Sequence, residues 1–221
     1  IRANRDKIEH TFINFEDFIS DYLAQKTWTY SLRLRSGKVI QLRARNEEVS
    51  DIDIVSEIFV DRDYDLGPLS SLENPVVVDI GAQIGLFSLY AATELNNPEI
   101  YSYEPFPESY NLLSKNAHWS PIRHFPRAVS GKKWTSNLFV SRANVGGHTI
   151  VDGETEDTIA IETLTLADIM EENQIGKIDL LKMDCEWSEY EILFSLDAET
   201  LTRISNIYME VHYNETIAKK Y

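Results

Sequence analysis

Residues 74–106 read NPVVVDIGAQIGLFSLYAATELNNPEIYSYEPF, and this stretch decides the fold. Val76, Val77 and Val78 form a short β-branched run behind Pro75, the pattern of a strand buried on both faces. Asp79 closes the run. Gly81 and Gly85 bracket a tight turn, and Leu86 to Leu95 continues with helical spacing. A second apolar strand, Ile100 to Tyr103, ends in Glu104. Glycines at the first crossover let backbone approach a ligand closely. An acid at the tip of the next strand can accept hydrogen bonds from both hydroxyls of a ribose. The pattern fits a nucleoside-bearing cofactor.

The glycine spacing narrows the choice. A dinucleotide fingerprint is G-x-G-x-x-G, with a pyrophosphate over the helix N-terminus. Here the segment is G-A-Q-I-G, with Gln83 at its third position. No Lys-Ser or Lys-Thr pair follows, which excludes a P-loop. D-x-G-x-x-x-G after a strand, with an acid one β-α unit later, resembles the first two motifs of class I S-adenosylmethionine (SAM) methyltransferases. SAM is a cation without phosphates, so its loop needs no phosphate cradle, and a carboxylate such as Asp79 suits its ammonium group.

Length and composition set the bounds. The 221 residues suffice for one α/β domain with a full core and a small annex. Hydrophobic residues make up 43% and charged residues 26%, an ordinary globular balance. The net charge of -15 argues against a general nucleic-acid binder or an anionic-membrane binder. Cys185 is the one cysteine, so no internal disulfide forms and a reducing, cytoplasmic setting is expected. No apolar run reaches the roughly 18 residues of a membrane span. The opening IRANRDKIEH has no signal-peptide apolar core and no initiator Met, so a larger parent chain is expected.

Ahead of the glycine loop lies the expected annex, residues 1–70, followed by a cofactor domain over 71–221. Ile8, Phe12, Phe15, Ile19, Tyr22 and Leu23 predict a helix across residues 6–25 that serves as a lid, a dimer contact or a packed helix. Trp28, Tyr30, Leu32 and Leu34 alternate with polar residues; after the Ser36-Gly37 turn, Ile40, Leu42 and Ala44 do the same. This hairpin has an apolar face. Its other face collects Arg33, Arg35, Arg43 and Arg45, which can hold an anionic group, stand in solvent, or pair with acids of residues 47–65. Ser50 is placed to cap a short helix carrying Ile52, Val55, Ile58 and Phe59.

Beyond Glu104, Glu108 to His118 reads as a helix and Ile122 to Phe125 as a strand, with Arg127 to Ser130 at its tip. Trp134 to Ser141 and Thr158 to Glu162 predict extra β-structure around a loop with Gly146, Gly147 and His148. Thr165 and Asp168 form a capping-box pattern. Ile178 to Met183 reads as a buried strand ending at Asp184. A turn at Cys185-Glu186-Trp187 leads to a helix with Tyr190, Leu193 and Phe194, and Ile204 to Val211 is the next strand, before His212. Alternating strands and helices predict a doubly wound, mostly parallel Rossmann-like sheet with its ligand at the C-terminal strand ends. Asp79, Glu104, Asp184, Glu186 and His212 share that rim.

With these pieces placed, the chain resembles the FkbM-type methyltransferases across roughly residues 30–213. The resemblance is carried by SDIDIVSEIFVDRDYD, VVVDIGAQIGLFSLYAA, YSYEPFPESYNLL, RAVSG, ANVGGHTI, ETLTLADIM, IDLLKMDCEWSEYEIL and IYMEVH, in that order. It implies a class I α/β fold and transfer of a methyl from SAM, typically to a hydroxyl of a sugar, glycan or natural product. It also implies a cofactor set of Asp79, Gly81, Gln83, Gly85, Leu86, Phe87, Glu104, Pro105, Ala128 and Asp184. Trp187 stands where the family usually has Gly, and Gln83 where it frequently has Asn. Only nine residues follow His212, so the last two strands of a class I sheet are expected to be missing.

Methyl transfer to oxygen needs alignment and removal of a hydroxyl proton. His212, Asp184 and Glu186 are the candidate catalytic residues, and no metal is assigned. Cys185 sits between acids that disfavour a thiolate, so it is given no nucleophilic role. The rivals are a nucleotide-dependent oxidoreductase and a non-catalytic cofactor- or glycan-binding module of a larger assembly protein. A homo-oligomer is compatible with either class.

Overall fold

Phe12 breaks the helix that the sequence predicts over residues 6–25. The computed structural model describes residues 5–17, 20, 29–43, 50–118, 120–140, 148–150, 157–186 and 188–211. Helix α1 (Arg5–Thr11) stops where Phe12 makes an antiparallel bridge to Leu34. The Ile13 N–H then donates to the Arg33 carbonyl at 2.9 Å, and the Arg33 N–H to Asn14 Oδ1 at 2.8 Å. The hairpin edge offers unpaired backbone groups. Satisfying them outweighs one more helical turn, and it drops the Phe12 ring into the core. Ile19, Tyr22 and Leu23 lie outside the described residues, apart from this corrected stretch.

Strands β1 (Thr29–Arg33) and β2 (Val39–Arg43) form the expected antiparallel hairpin. Tyr30, Leu32, Leu34, Ile40 and Leu42 are buried, as the alternation requires. Of the readings open for the basic face, Arg43 takes the pairing with an acid of residues 47–65. Arg43 is 4% exposed and ion-paired to Asp51 at 2.7 Å, so it is no open anion receptor. Arg35 bonds through Nε to the Glu9 carbonyl. Helix α2 (Asp51–Val55) starts at Ser50, whose hydroxyl and N–H both reach Asp53 Oδ2, at 2.6 and 2.9 Å. A π-helical turn, Ser56–Asp61, continues it until Arg62 turns left-handed at φ 59°.

The valine run becomes β3 (Val76–Ile80), followed by α3 (Leu86–Glu94), β4 (Glu99–Tyr103), α4 (Pro107–Ala117) and β5 (Ile122–Phe125). After β6 (Ala128–Val129), strands β7 (Thr135–Phe139) and β8 (Thr158–Leu164) pair antiparallel. Helix α5 (Leu166–Glu172) leads to β9 (Leu180–Met183), α6 (Glu189–Ser195), α7 (Ala198–Thr202) and β10 (Ile207–Met209). The main sheet has five parallel strands in the order β10-β9-β3-β4-β5, and a smaller sheet runs β6-β8-β7. Its described edges are β10 and β5. At Thr165, the capping box is formed with Asp168, as its spacing predicts.

Alternation along the central strands divides the core in two. Val77, Ile100 and Leu180 face one cluster with Leu86, Leu89 and Tyr90 of α3. Val78, Ile80, Tyr101, Leu181 and Met183 face the other, with Leu166, Ile169 and Met170 of α5 and Ile192 of α6. Phe12, Leu32, Ile40, Leu42 and Phe59 belong to the first cluster, so the N-terminal elements pack directly on the sheet's helical layer. On α6 Ile192 takes the inward position, and Phe194 is 63% exposed.

Candidate active site

The site grows from the loop after β3. The N–H groups of Gly81 and Ala82 both donate to the Tyr103 carbonyl, at 3.1 and 3.0 Å. Gly81 sits at φ +75°, and a Cβ on it would lie 1.7 Å from the Asp184 carbonyl oxygen. Only glycine lets the two strand ends approach so closely. Gln83 turns left-handed at φ 51°, and its N–H donates to Glu104 Oε2 at 2.9 Å. That conformation suits Gly, Asn or Asp better than Gln. Gly85, at φ +88°, caps α3 against Leu113.

Glu104 stands at the tip of β4, 6% exposed, and its Oε1 accepts the Phe106 N–H at 2.7 Å. Burial pushes its carboxyl up to about 7, although the Phe106 and Gln83 N–H groups and the charges of Arg43 and Lys182 work the other way. Each carboxylate oxygen is anchored once and keeps a lone pair for a ligand hydroxyl.

A cleft of about 740 Å³ opens at this rim. Gly81, Gln83, Leu86, Phe87, Glu104, Pro105, Ala128, Asp184 and Glu186 all line it, so most of the expected residues are brought together. Asp79 and Gly85 are not among its lining residues. Asp79 is fully buried, accepts the Ser88 hydroxyl at 2.6 Å and lies 3.4 Å from Lys182 Nζ. Its carboxylate therefore serves an internal cation. His212 and Trp187 lie outside the described residues.

Several lining residues escaped the sequence. Lys182 is a lone charge inside an otherwise apolar strand. Tyr64 comes from a polar connection; its ring lies 4.9 Å from Phe87 and 6.1 Å from Tyr208, and burial pushes its hydroxyl up to about 12. His148 packs against Phe106, ring centroids 3.9 Å apart and planes tilted by 46°, and the Thr149 hydroxyl donates to the Glu186 carbonyl at 2.6 Å, so this short segment forms a wall of the cleft. Glu57 and Asp63 line the same cleft; burial and then the charges of Asp63, Asp53, Asp184 and Asp61 raise the Glu57 carboxyl above its ordinary value. Burial, with Glu189 and Asp184, raises the Cys185 thiol, in keeping with an inert thiol. The signals available for these were the charge inside LLKMD and the aromatic among the acids of residues 61–65.

The glycine cradle at Gly81 and the paired anchors on Glu104 fit an adenosine-bearing ligand. The comparisons agree with that fit. A family model described as the methyltransferase FkbM domain matches residues 79–219. The chain is 29% identical over 191 residues to methyltransferase sdnD of Sordaria araneosa, covering 71% of this chain and 73% of that one. It is 27% identical over 196 residues to the 31-O-demethyl-FK506 methyltransferase FkbM of Streptomyces tacrolimicus, covering 71% and 72%. A SAM-dependent methyltransferase structure from Agrobacterium tumefaciens superposes with a TM-score of 0.50 at 13% identity, over 88% of this chain and 56% of that one, and shares the fold. Cleft, sheet order and sequence matches converge: the chain belongs to the FkbM methyltransferase family, α/β proteins with SAM as cofactor.

Proposed function

We propose that the chain is an O-methyltransferase acting on a hydroxyl of a sugar, glycan or natural product. The carrying observation is that Asp184, its side chain 30% exposed just past the end of β9, lines one cleft with the Gly81–Gln83 loop and Glu104. The acid and the cofactor loop therefore address the same space. The Streptomyces relative is a 31-O-demethyl-FK506 methyltransferase, which supports oxygen on a natural product.

Bound SAM supplies a methyl carbon activated by its positive sulfur. Gly81, Gln83 and Glu104 hold the adenosine part, and Leu86 and Phe87 give it apolar walls. Asp184 lines the cleft where it would take the proton of an acceptor hydroxyl, and SAM would supply the methyl group that this oxygen receives. Glu186 faces the same cleft, and His212 remains the alternative base proposed from sequence. Incubation with methyl-labelled SAM and a panel of hydroxylated sugars and macrolides tests this. Label on an acceptor oxygen, reduced at least tenfold in Asp184→Asn, is the expected result. Label on nitrogen or carbon overturns the assignment to oxygen.

A further inference from the structure

Lys182 is a cation inside an apolar strand. Leu180, Leu181 and Met183 beside it are fully buried, and Lys182 itself is 3% exposed. Its Nζ donates to the Gly81 carbonyl at 3.0 Å and lies 3.4 Å from Asp79 Oδ1 and 3.5 Å from Asp184 Oδ2. The Phe87 ring centroid is 6.0 Å away. Burial opposes its charge, but Asp79 and Asp184 outweigh that and hold its pKa above the ordinary lysine value. Tyr64, Glu104 and Cys185 also lie in its field, and Asp184 is faced in turn by Glu57, Tyr64 and Cys185.

One ammonium thus ties three points together. Asp79 is anchored on its other oxygen by Ser88, so it is fixed from both sides. Asp184 keeps a part of its side chain open to the cleft. The Gly81 carbonyl belongs to the cofactor loop.

We propose that Lys182 is a positioning residue that clamps the Gly81 carbonyl to the Asp184 carboxylate and sets the charge the cleft presents to its cofactor. The inference rests on the methyltransferase reading of this cleft. SAM carries a sulfonium, whereas S-adenosylhomocysteine is the same skeleton without that charge. With Lys182 removed, two neighbouring carboxylates are left without their shared cation and favour the cationic form. With the Asp184 charge removed, the ammonium is less compensated and disfavours it. A loosened loop weakens both ligands together, so their affinity ratio isolates the electrostatic part.

The test is calorimetric titration of the full chain with SAM and with S-adenosylhomocysteine, for wild type, Lys182→Met, Lys182→Arg and Asp184→Asn. In Lys182→Met the ratio moves toward SAM by about threefold or more at low salt, and in Asp184→Asn it moves toward S-adenosylhomocysteine by a similar factor. Lys182→Arg stays nearer to wild type than Lys182→Met. Both shifts shrink at about 0.5 M salt. An unmoved ratio in Lys182→Met and Asp184→Asn, or an Arg variant matching the Met variant, overturns the proposal. If Lys182→Met does not fold, Asp184→Asn decides, because that side chain is partly exposed. A wild type that binds neither ligand overturns the cofactor assignment itself, a result distinct from binding with an unmoved ratio.

Discussion

The N–H of Gln83 donates to Glu104 Oε2 at 2.9 Å, which closes the cofactor loop onto the tip of the next strand. Because this bond joins the two halves of the ligand site, loop geometry and Glu104 protonation are coupled. Burial holds the Glu104 carboxyl at about 7 in the free protein. A protonated Glu104 loses acceptor capacity for ribose hydroxyls. SAM affinity is expected to fall as pH drops from 8 to 6, by about tenfold, and Glu104→Gln is expected to bind weakly with a flattened pH dependence. Titration calorimetry across that range checks both.

The same residue leaves a mark on stability. Its folded pKa of about 7 lies above the ordinary 4.5, so ionising it costs folding energy. The stabilising contribution is complete below pH 4.5 and is lost as pH rises through about 7. Its size is up to about 3 kcal/mol, from roughly 1.4 kcal/mol per pKa unit. Denaturant unfolding of wild type and Glu104→Gln at pH 5 and pH 8 should show the variant gaining relative to wild type at the higher pH.

Gly81→Ala places a Cβ 1.7 Å from a backbone oxygen, whereas Gly85→Ala meets the movable end of Leu113 at 2.5 Å, both at positive φ. Backbone cannot swing aside as a leucine methyl can. Gly81→Ala is expected to cost more than about 3 kcal/mol and to abolish SAM binding, and Gly85→Ala about 1–2 kcal/mol. Thermal unfolding ranks the two, and the reverse order would count against the described loop.

Arg43 and Asp51 pair in the interior at 2.7 Å, with side-chain exposures of 4% and 0%. Removing one partner strands a buried charge. Arg43→Met is expected to destabilise by about 3–5 kcal/mol. Arg127 and Glu172 pair at 2.8 Å but are 39% and 42% exposed, so Arg127→Ala should cost less than about 1 kcal/mol. Urea titrations of the two variants make the comparison.

Asn116, fully buried, accepts the Gln41 N–H at 2.7 Å and donates to the carbonyls of Gln41 and Ile84, at 3.1 and 2.9 Å. It seals the edge of β2 and ties the hairpin to the cofactor loop. Asn116→Ala leaves three backbone groups without this partner and is expected to cost about 2–4 kcal/mol. A loss of SAM affinity alongside the lower midpoint would show that the hairpin supports the loop.

Much of this molecule was legible in sequence order. The Val76 run, the glycines at 81 and 85 and the acid at 104 specified a strand, loop, helix and strand, because period, turn chemistry and strand-end position are local properties. The capping signals at Ser50 and Thr165 were equally local, and both are realised. The family pattern brought in Gln83, Pro105 and Ala128, all of which line the cleft. Tertiary structure decided the charges. Lys182 meets Gly81 across 101 residues of chain, and Gln41 meets Asn116 across 75. Arg43 reads as a surface residue by alternation and is buried only because Asp51 and Ser109 are there to receive it. Asp79 reads as a ligand-facing acid, yet it turns to Lys182. Local pattern fixes which face a side chain takes; which partner cancels a buried charge depends on strands paired from distant parts of the chain.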